Sequence, residues 1–234
     1  SAMIRGRGRD DDGYLVFVTK RGTVKRMEQS ALKNIRSNGL RAIVLDEGDS
    51  LISVLQTTGE ENIFIATYNG MAVCFNESEL RPLGRNAMGV RGIRLRGGDY
   101  VVGAGNSLAG EAVLTITEKG YGKRTLLSEY SIHGRGGIGI KNYQVTDKTG
   151  GIADVKMVNP GEDILVISDD GTIIRMAVDH ISVLGRSTQG VRIMRLAEGS
   201  RVISIERTER EQSEDEAEVT EEVTEEVPEV IDEE

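Results

Sequence analysis

Apolar residues along this chain fall in short runs, and the runs recur in a fixed order. YLVFVT, NIFIAT, AVLTIT and DILVIS, at 14–19, 62–67, 112–117 and 163–168, each lead into a turn closed by a glycine. These turn glycines are Gly22, Gly70, Gly120 and Gly171, spaced 48, 50 and 51 residues apart. A second run follows each: TVKRM, MAVCF, YGKRT or TIIRM. Ser30, Ser78, Ser128 and Asp179 stand at one common offset beyond the turn. Then comes an arginine-led loop closed by glycine: Arg36–Gly39, Arg85–Gly89, Arg135–Gly139 and Arg186–Gly190. An apolar residue and a base open the third run of each unit: LRAIVL, VRGIRL, IKNYQV and VRIMRL. After a further turn the unit ends in LISVL, YVVGA, IADVKM or RVISI.

Runs this short, rich in Val, Ile, Thr and Leu and bounded by Gly and Asp, read as strands. The K-R-G, N-G and D-G turns are hairpin signals, because glycine accepts positive φ. The runs before the turns are apolar at nearly every position, which suits strands covered on both faces. Residues 28–33 allow one short helical turn, and no amphipathic helix stands out elsewhere. The pattern predicts an all-β, propeller-like chain of four-stranded antiparallel blades, at about 13–59, 60–109, 110–160 and 161–208. One such sheet cannot bury both faces alone. Packing blades side by side buries them and leaves a polar rim.

Composition narrows the class. The 234 residues are 38% hydrophobic and 29% charged, the balance of a soluble globular chain. The 29 glycines lack a G-X-Y period, which excludes a collagen-like chain. No apolar run is long enough for a membrane helix, and no secretory signal is visible. Ser1-Ala2-Met3 reads as a tag-removal scar, followed within 1–12 by a basic linker with Arg5, Arg7 and Arg9. The single cysteine, Cys74, is expected to be a small buried thiol in a cytoplasmic protein. Charge is uneven. Residues 211–234 hold 13 acidic residues and no Lys or Arg, whereas the rest carries 29 basic against 25 acidic residues. A mildly basic body thus precedes an acidic tail, 209–234, expected to be disordered. Such a tail keeps the chain soluble or competes for the body's basic surface.

The segments DEGDSLISV, RPLGRNAMGVRGIRL, TEKGYGKRTLLSEY and SVLGRSTQGVRIMRLAEG resemble the C-terminal region of the DNA gyrase A subunit. The resemblance runs from Tyr14 to about Arg207. It implies a β-pinwheel, a six-bladed disc whose connections differ from those of a standard propeller and whose basic rim wraps duplex DNA so that the enzyme introduces negative supercoils using ATP. It also implies, as partners, double-stranded DNA, the rest of the gyrase A protein, and the gyrase B protein. Four repeats are present, resembling the last four of the family's six. The Gln-Arg-Arg-Gly-Gly-Lys-Gly box of the family's first blade is missing, and Gly134-Arg135-Gly136-Gly137-Ile138-Gly139 is the nearest string.

Holding duplex without reading its sequence needs Lys and Arg spaced along a surface to match phosphates. The candidates after the turn are Lys25, Arg26, Lys123, Arg124 and Arg175. The loop candidates are Arg36, Arg85, Arg135 and Arg186, and those opening the third runs are Arg41, Arg91, Lys141 and Arg192. Arg94 and Arg195 are further bases that alternate with inward positions. The competing expectation is that some of these bases tie neighbouring blades together through Asp or Glu.

No cofactor, metal or catalytic residue is expected. Gly134, Gly136 and Gly139 match G-x-G-x-x-G formally, but a strand-like run follows instead of a helix. There is no Walker-type lysine loop. His133 and His180 are isolated, with no metal-ligand spacing. The resemblance places the family's nucleophilic tyrosine after an arginine, and none of the six tyrosines here follows one. The chain therefore reads as a non-catalytic domain of a topoisomerase. Two alternatives stand beside this reading: a protein-interaction propeller, and the C-terminal domain of the topoisomerase IV A protein.

Overall fold

The structure, a computed structural model of the chain, describes residues 13–33 and 39–210. The linker, Arg36 and residues 211–234 of the acidic tail lie outside the described residues. The first repeat forms β1 (Tyr14–Thr19), β2 (Thr23–Glu28) and β3 (Leu51–Thr57). The second forms β4 (Asn62–Thr67), β5 (Met71–Asn76), β6 (Val90–Arg91) and β7 (Val101–Asn106). The third forms β8 (Ala112–Thr117), β9 (Tyr121–Leu126), β10 (Ile140–Lys141) and β11 (Ile152–Val158). The fourth forms β12 (Glu162–Ser168), β13 (Ile173–Ala177), β14 (Val191–Arg192) and β15 (Val202–Glu209). A short 3-10 turn follows the second strand of every repeat, beginning with Gln29–Leu32, where the sequence allows a helical turn.

All pairings among the named strands are antiparallel, and the sheets run β3-β1-β2-β6, β7-β4-β5-β10, β11-β8-β9-β14 and β15-β12-β13. Blades of four antiparallel strands are thus what forms, with one correction. A repeat does not build its blade alone. Its third run crosses to the preceding sheet, so β6, β10 and β14 are the outermost strands of blades begun by the repeat before. The hairpin turns lock each repeat's first two strands together. The segment ahead of the arginine-led loop already runs beside the previous blade: Leu83 N–H donates to the Arg26 carbonyl, and Leu184 N–H to that of Arg124. Among the described residues the last sheet has three strands. The first repeat's third run, LRAIVL, forms no strand. Ala42 and Ile43 instead cover Leu15, Phe17 and Met27 on the outer face of the first blade.

The core lies between blades. Along β4, Ile63 and Ile65 face the first blade with Val16 and Val18, while Phe64 and Ala66 face the third blade with Val113 and Met157. Leu114 and Ile116 of β8 pack on Ile164 and Val166 of β12. This two-sided burial explains the nearly unbroken apolar runs. Cys74 is buried in the second of these interfaces, and burial pushes its thiol up to about 11. The innermost strands β3, β7, β11 and β15 together line a central cavity of about 590 Å³.

The turn glycines close the exchange. Gly22, Gly70, Gly120 and Gly171 have φ of +82°, +80°, +77° and +85°, a region costly for any residue with a Cβ. The carbonyls of the first three accept a hydrogen bond from the incoming segment, donated by Gly92, Asn142 and Ile193 N–H at 2.8 Å each. A Cβ on Gly120 would lie 2.4 Å from the Met194 carbonyl oxygen, whereas one on Gly171 would meet nothing within 4 Å. We therefore expect Gly171→Ala to lose about 1–2 kcal/mol, the cost of positive φ alone. Gly120→Ala is expected to lose about 2–5 kcal/mol, because overpacking adds to it. Equal losses in urea titrations of the two variants would contradict the asymmetry.

Candidate nucleic-acid interface

The donated strands set the outer edge. Each is two residues long, an apolar residue followed by a base. Arg91 pairs with Thr23, Lys141 with Met71, and Arg192 with Tyr121, the residue next to the turn glycine in every case. Three exposed cations therefore occupy one register position on the outermost strands of three successive blades. The Arg192 guanidinium is held by the Tyr121 hydroxyl at 2.6 Å. Arg41 and Arg85 are also exposed, and so are Arg94 and Arg195, three residues beyond the strand bases.

The bases after the turn behave differently. Lys25 and Lys123 are fully buried, at 0% exposure, and cannot meet a phosphate. Lys123 Nζ donates to the Gly185 and Arg186 carbonyls at 2.6 and 2.7 Å. Lys25 Nζ donates to the Arg85 and Ala87 carbonyls at 3.0 Å each, and to that of Ala42 at 2.6 Å. Each lysine thus grips the arginine-led loop that the next repeat lays over it. Burial holds both ammonium groups below their ordinary range, Lys123 at about 8.

Arg26 and Arg124 tie blades together. Arg26 meets the buried carboxylate of Glu77 at 3.4 Å, and its guanidinium lies 4.3 Å from the centre of the Tyr14 ring. Burial pushes the Glu77 carboxyl up, and Thr57 Oγ1 donates to it at 2.7 Å. Arg124 Nε donates to the Ile181 carbonyl at 2.8 Å, with Asp179 at 3.8 Å. Arg175 is exposed but bound to Asp163 at 2.9 Å and to the Glu209 carbonyl. The loop arginines serve two ends. Arg135 and Arg186 are half-buried and cap the carbonyls of Arg91 and Lys141, at 3.2 and 3.1 Å, which steadies the outer strands.

One residue at this edge was not among the sequence candidates. Arg81 is exposed and lines, with Arg135, a groove of about 400 Å³ between the first two blades. Its counterparts are Lys33 in the first repeat and Ser131 and Ser182 in the third and fourth, so only the first two repeats carry a base there.

The fold and this edge define a class, a strand-exchanged propeller whose outer strands carry cations. A family model described as "DNA gyrase C-terminal domain, beta-propeller" matches residues 13–58, 61–106, 111–159 and 162–209, and the chain belongs to that family. The DNA gyrase A protein of Staphylococcus epidermidis is 46% identical over 203 residues, 86% of this chain and 23% of that protein. The Ureaplasma parvum gyrase A protein is 44% identical over 195 residues, 83% of this chain and 23% of that protein. The chain thus spans about a quarter of the length of the curated relatives it matches. Among solved structures, a DNA gyrase A C-terminal domain superposes with a TM-score of 0.80 at 26% identity, covering 88% of this chain and 69% of that one. The C-terminal domain of a DNA topoisomerase IV gives 0.81 at 26% identity, covering 95% and 70%. Among the described residues, no helix is long and apolar enough to cross a membrane.

Lys123→Met separates a loop-holding lysine from a phosphate-binding one. It orphans two loop carbonyls, so we expect a stability loss of about 1–3 kcal/mol in thermal or urea unfolding. The pH dependence has a definite sign. The folded state binds fewer protons than the unfolded state between about pH 8 and 10.5, so stability from this group rises with pH across that window. The variant should lose that slope. An unchanged melting temperature would return Lys123 to the surface.

Proposed function

We propose that this chain is the duplex-binding and duplex-bending part of a gyrase A protein. DNA lies on the outer edge of the blades, and its capture there supports negative supercoiling by the ATP-driven enzyme. The rest of the gyrase A protein and the gyrase B protein are its protein partners, and the cytoplasm is its setting. Residues 13–208 form the binding body, flanked by a linker and an acidic tail. The observation that carries this reading is the repetition of Arg91, Lys141 and Arg192 at one register position on three successive outer strands. The curated relatives, gyrase A proteins by name, favour gyrase over topoisomerase IV.

Phosphate contacts of this kind carry no sequence information, which suits a protein that must act on any duplex. Smoothly bending 20–30 base pairs by 40–90° costs on the order of 1–6 kcal/mol, so contacts must recur from blade to blade to hold the curve. The chain's part is to bind and orient. No bond-breaking step is assigned to it.

The test is binding to linear duplexes of increasing length across a salt series. Affinity should rise with length to a plateau and fall steeply with salt. Replacing Arg91, Lys141 and Arg192 together by Gln should reduce the slope of log K against log salt by about 3, roughly 0.9 per phosphate contact. The melting temperature should stay within a degree or two. Salt-insensitive or absent binding by the parent chain would sink the DNA reading and favour a protein-interaction propeller.

A further inference from the structure

The second blade lacks what the first and third possess. At the position of Lys25 and Lys123 it has Val73, so no ammonium reaches under the loop that the third repeat lays over it. A cavity of about 190 Å³ stands there instead, lined by Val73, Cys74, His133, Gly134, Gly137 and Ile140. Its walls are largely apolar, as the four-methylene stem of a lysine would need. The loop carbonyls match as well. Lys123 binds those of Gly185 and Arg186. Their counterparts are Gly134 and Arg135, whose carbonyls accept no hydrogen bond among the described residues.

A carboxylate completes the likeness. Glu129 favours the charged form of Lys123, and its Oε2 lies 3.8 Å from the Cβ position of Gly185. Glu79 Oε2 lies at the same 3.8 Å from the Cβ position of Gly134. Its carboxylate accepts the Arg135 backbone N–H, while the Arg135 guanidinium turns to the carbonyls of Glu79 and Arg91. The slot thus keeps an apolar channel lined by Gly134, with Arg135 and Glu79 adjoining it, and no Lys or Arg among the described residues lines it.

We propose that this slot binds a primary alkylammonium group supplied from outside, on a stem of three or four methylenes. Two sources share that chemistry, a free diamine or polyamine and a lysine side chain of another protein. The bound group would clamp loop 134–139 as Lys25 and Lys123 clamp its two counterparts. The site does not depend on the DNA reading, because its test contains no DNA.

The experiment titrates the full chain at pH 7 with n-butylammonium and follows the backbone amides of Gly134, Gly137 and Gly139 by NMR. Saturable shifts with a half-point on the order of millimolar are expected for so small a ligand. n-Butanol, which has the stem alone, and tetramethylammonium, which has charge without N–H donors, should not reproduce them. Butane-1,4-diammonium and Nα-acetyl-lysine methylamide separate the two sources by which binds tighter. Val73→Lys should abolish the shifts and raise the melting temperature. Val73→Met, which fills the slot without a charge, should abolish them too and serves if the lysine variant fails to fold. Glu79→Gln should weaken binding by about two- to fivefold, as for a partly exposed charge pair. Absence of saturable shifts, or shifts that survive both Val73 variants, would overturn the site.

Discussion

An unpaired sheet edge is the constraint from which the rest of this structure follows. A strand edge presents a row of N–H and C=O groups that need partners. Three of the four blades meet that need with a two-residue strand taken from the next repeat, fastened to the carbonyl of a turn glycine. The fourth shows what the device does by lacking it. Ile173 is 58% exposed, whereas Val24, at the same place in the first blade and covered by β6, is 0% exposed. Adjacent blades are therefore held by backbone hydrogen bonds as well as by apolar packing. A repeat cannot be removed without exposing its neighbour's edge.

Strand exchange also decides where the charge goes. An outermost strand has one covered end and one open side, so an apolar–base pair settles with its base outward, as at Val90–Arg91 and Ile140–Lys141. In the first and third blades, bases one strand further in are buried or half-buried. There they serve as ties: Lys25 and Lys123 to loop carbonyls, Arg26 and Arg124 to acidic groups of the next repeat. One residue type thus does two jobs, sorted by the depth of its strand in the blade. The inner set fixes the loops whose arginines then steady the outer strands.

The strand runs, hairpin turns and four-fold repetition were legible because they depend on local chemistry, on β-branched runs and glycines able to take positive φ. The exchange was not legible in the residue pattern itself, and the reason is physical. Moving every third run into the neighbouring sheet leaves the order and period of the sequence unchanged, and only the two ends of the array reveal it. The depth of Lys25 and Lys123 was hidden for a related reason. In a strand covered on both faces, alternation no longer separates inward from outward positions. Arg94 and Arg195 follow a very short strand, where alternation has little length over which to act. Arg81 shares its offset with Lys33, but the third and fourth repeats carry Ser131 and Ser182 there, so a reading built on four-fold repetition passes over it.

Net charge is a poor guide to a molecule built this way. The body's formal excess of four positive charges is small, yet much of its cationic content is already spent on interior ties and surface pairs. Arg26, Arg124, Arg175, Arg201 and Arg207 each have a carboxylate within 4.0 Å. Subtracting such pairs removes equal numbers of both signs and leaves the excess unchanged, but it concentrates that excess on residues without acidic partners. Among the described residues Arg91, Lys141 and Arg192 have no acidic partner, and the exchange sets them at equal register along the edge. A field of few charges in a regular row attracts a polyanion more effectively than the same charges scattered, because screening confines each charge's reach to about 8–10 Å at ordinary ionic strength. Within that range the arrangement of neighbouring cations matters more than the total carried by the molecule.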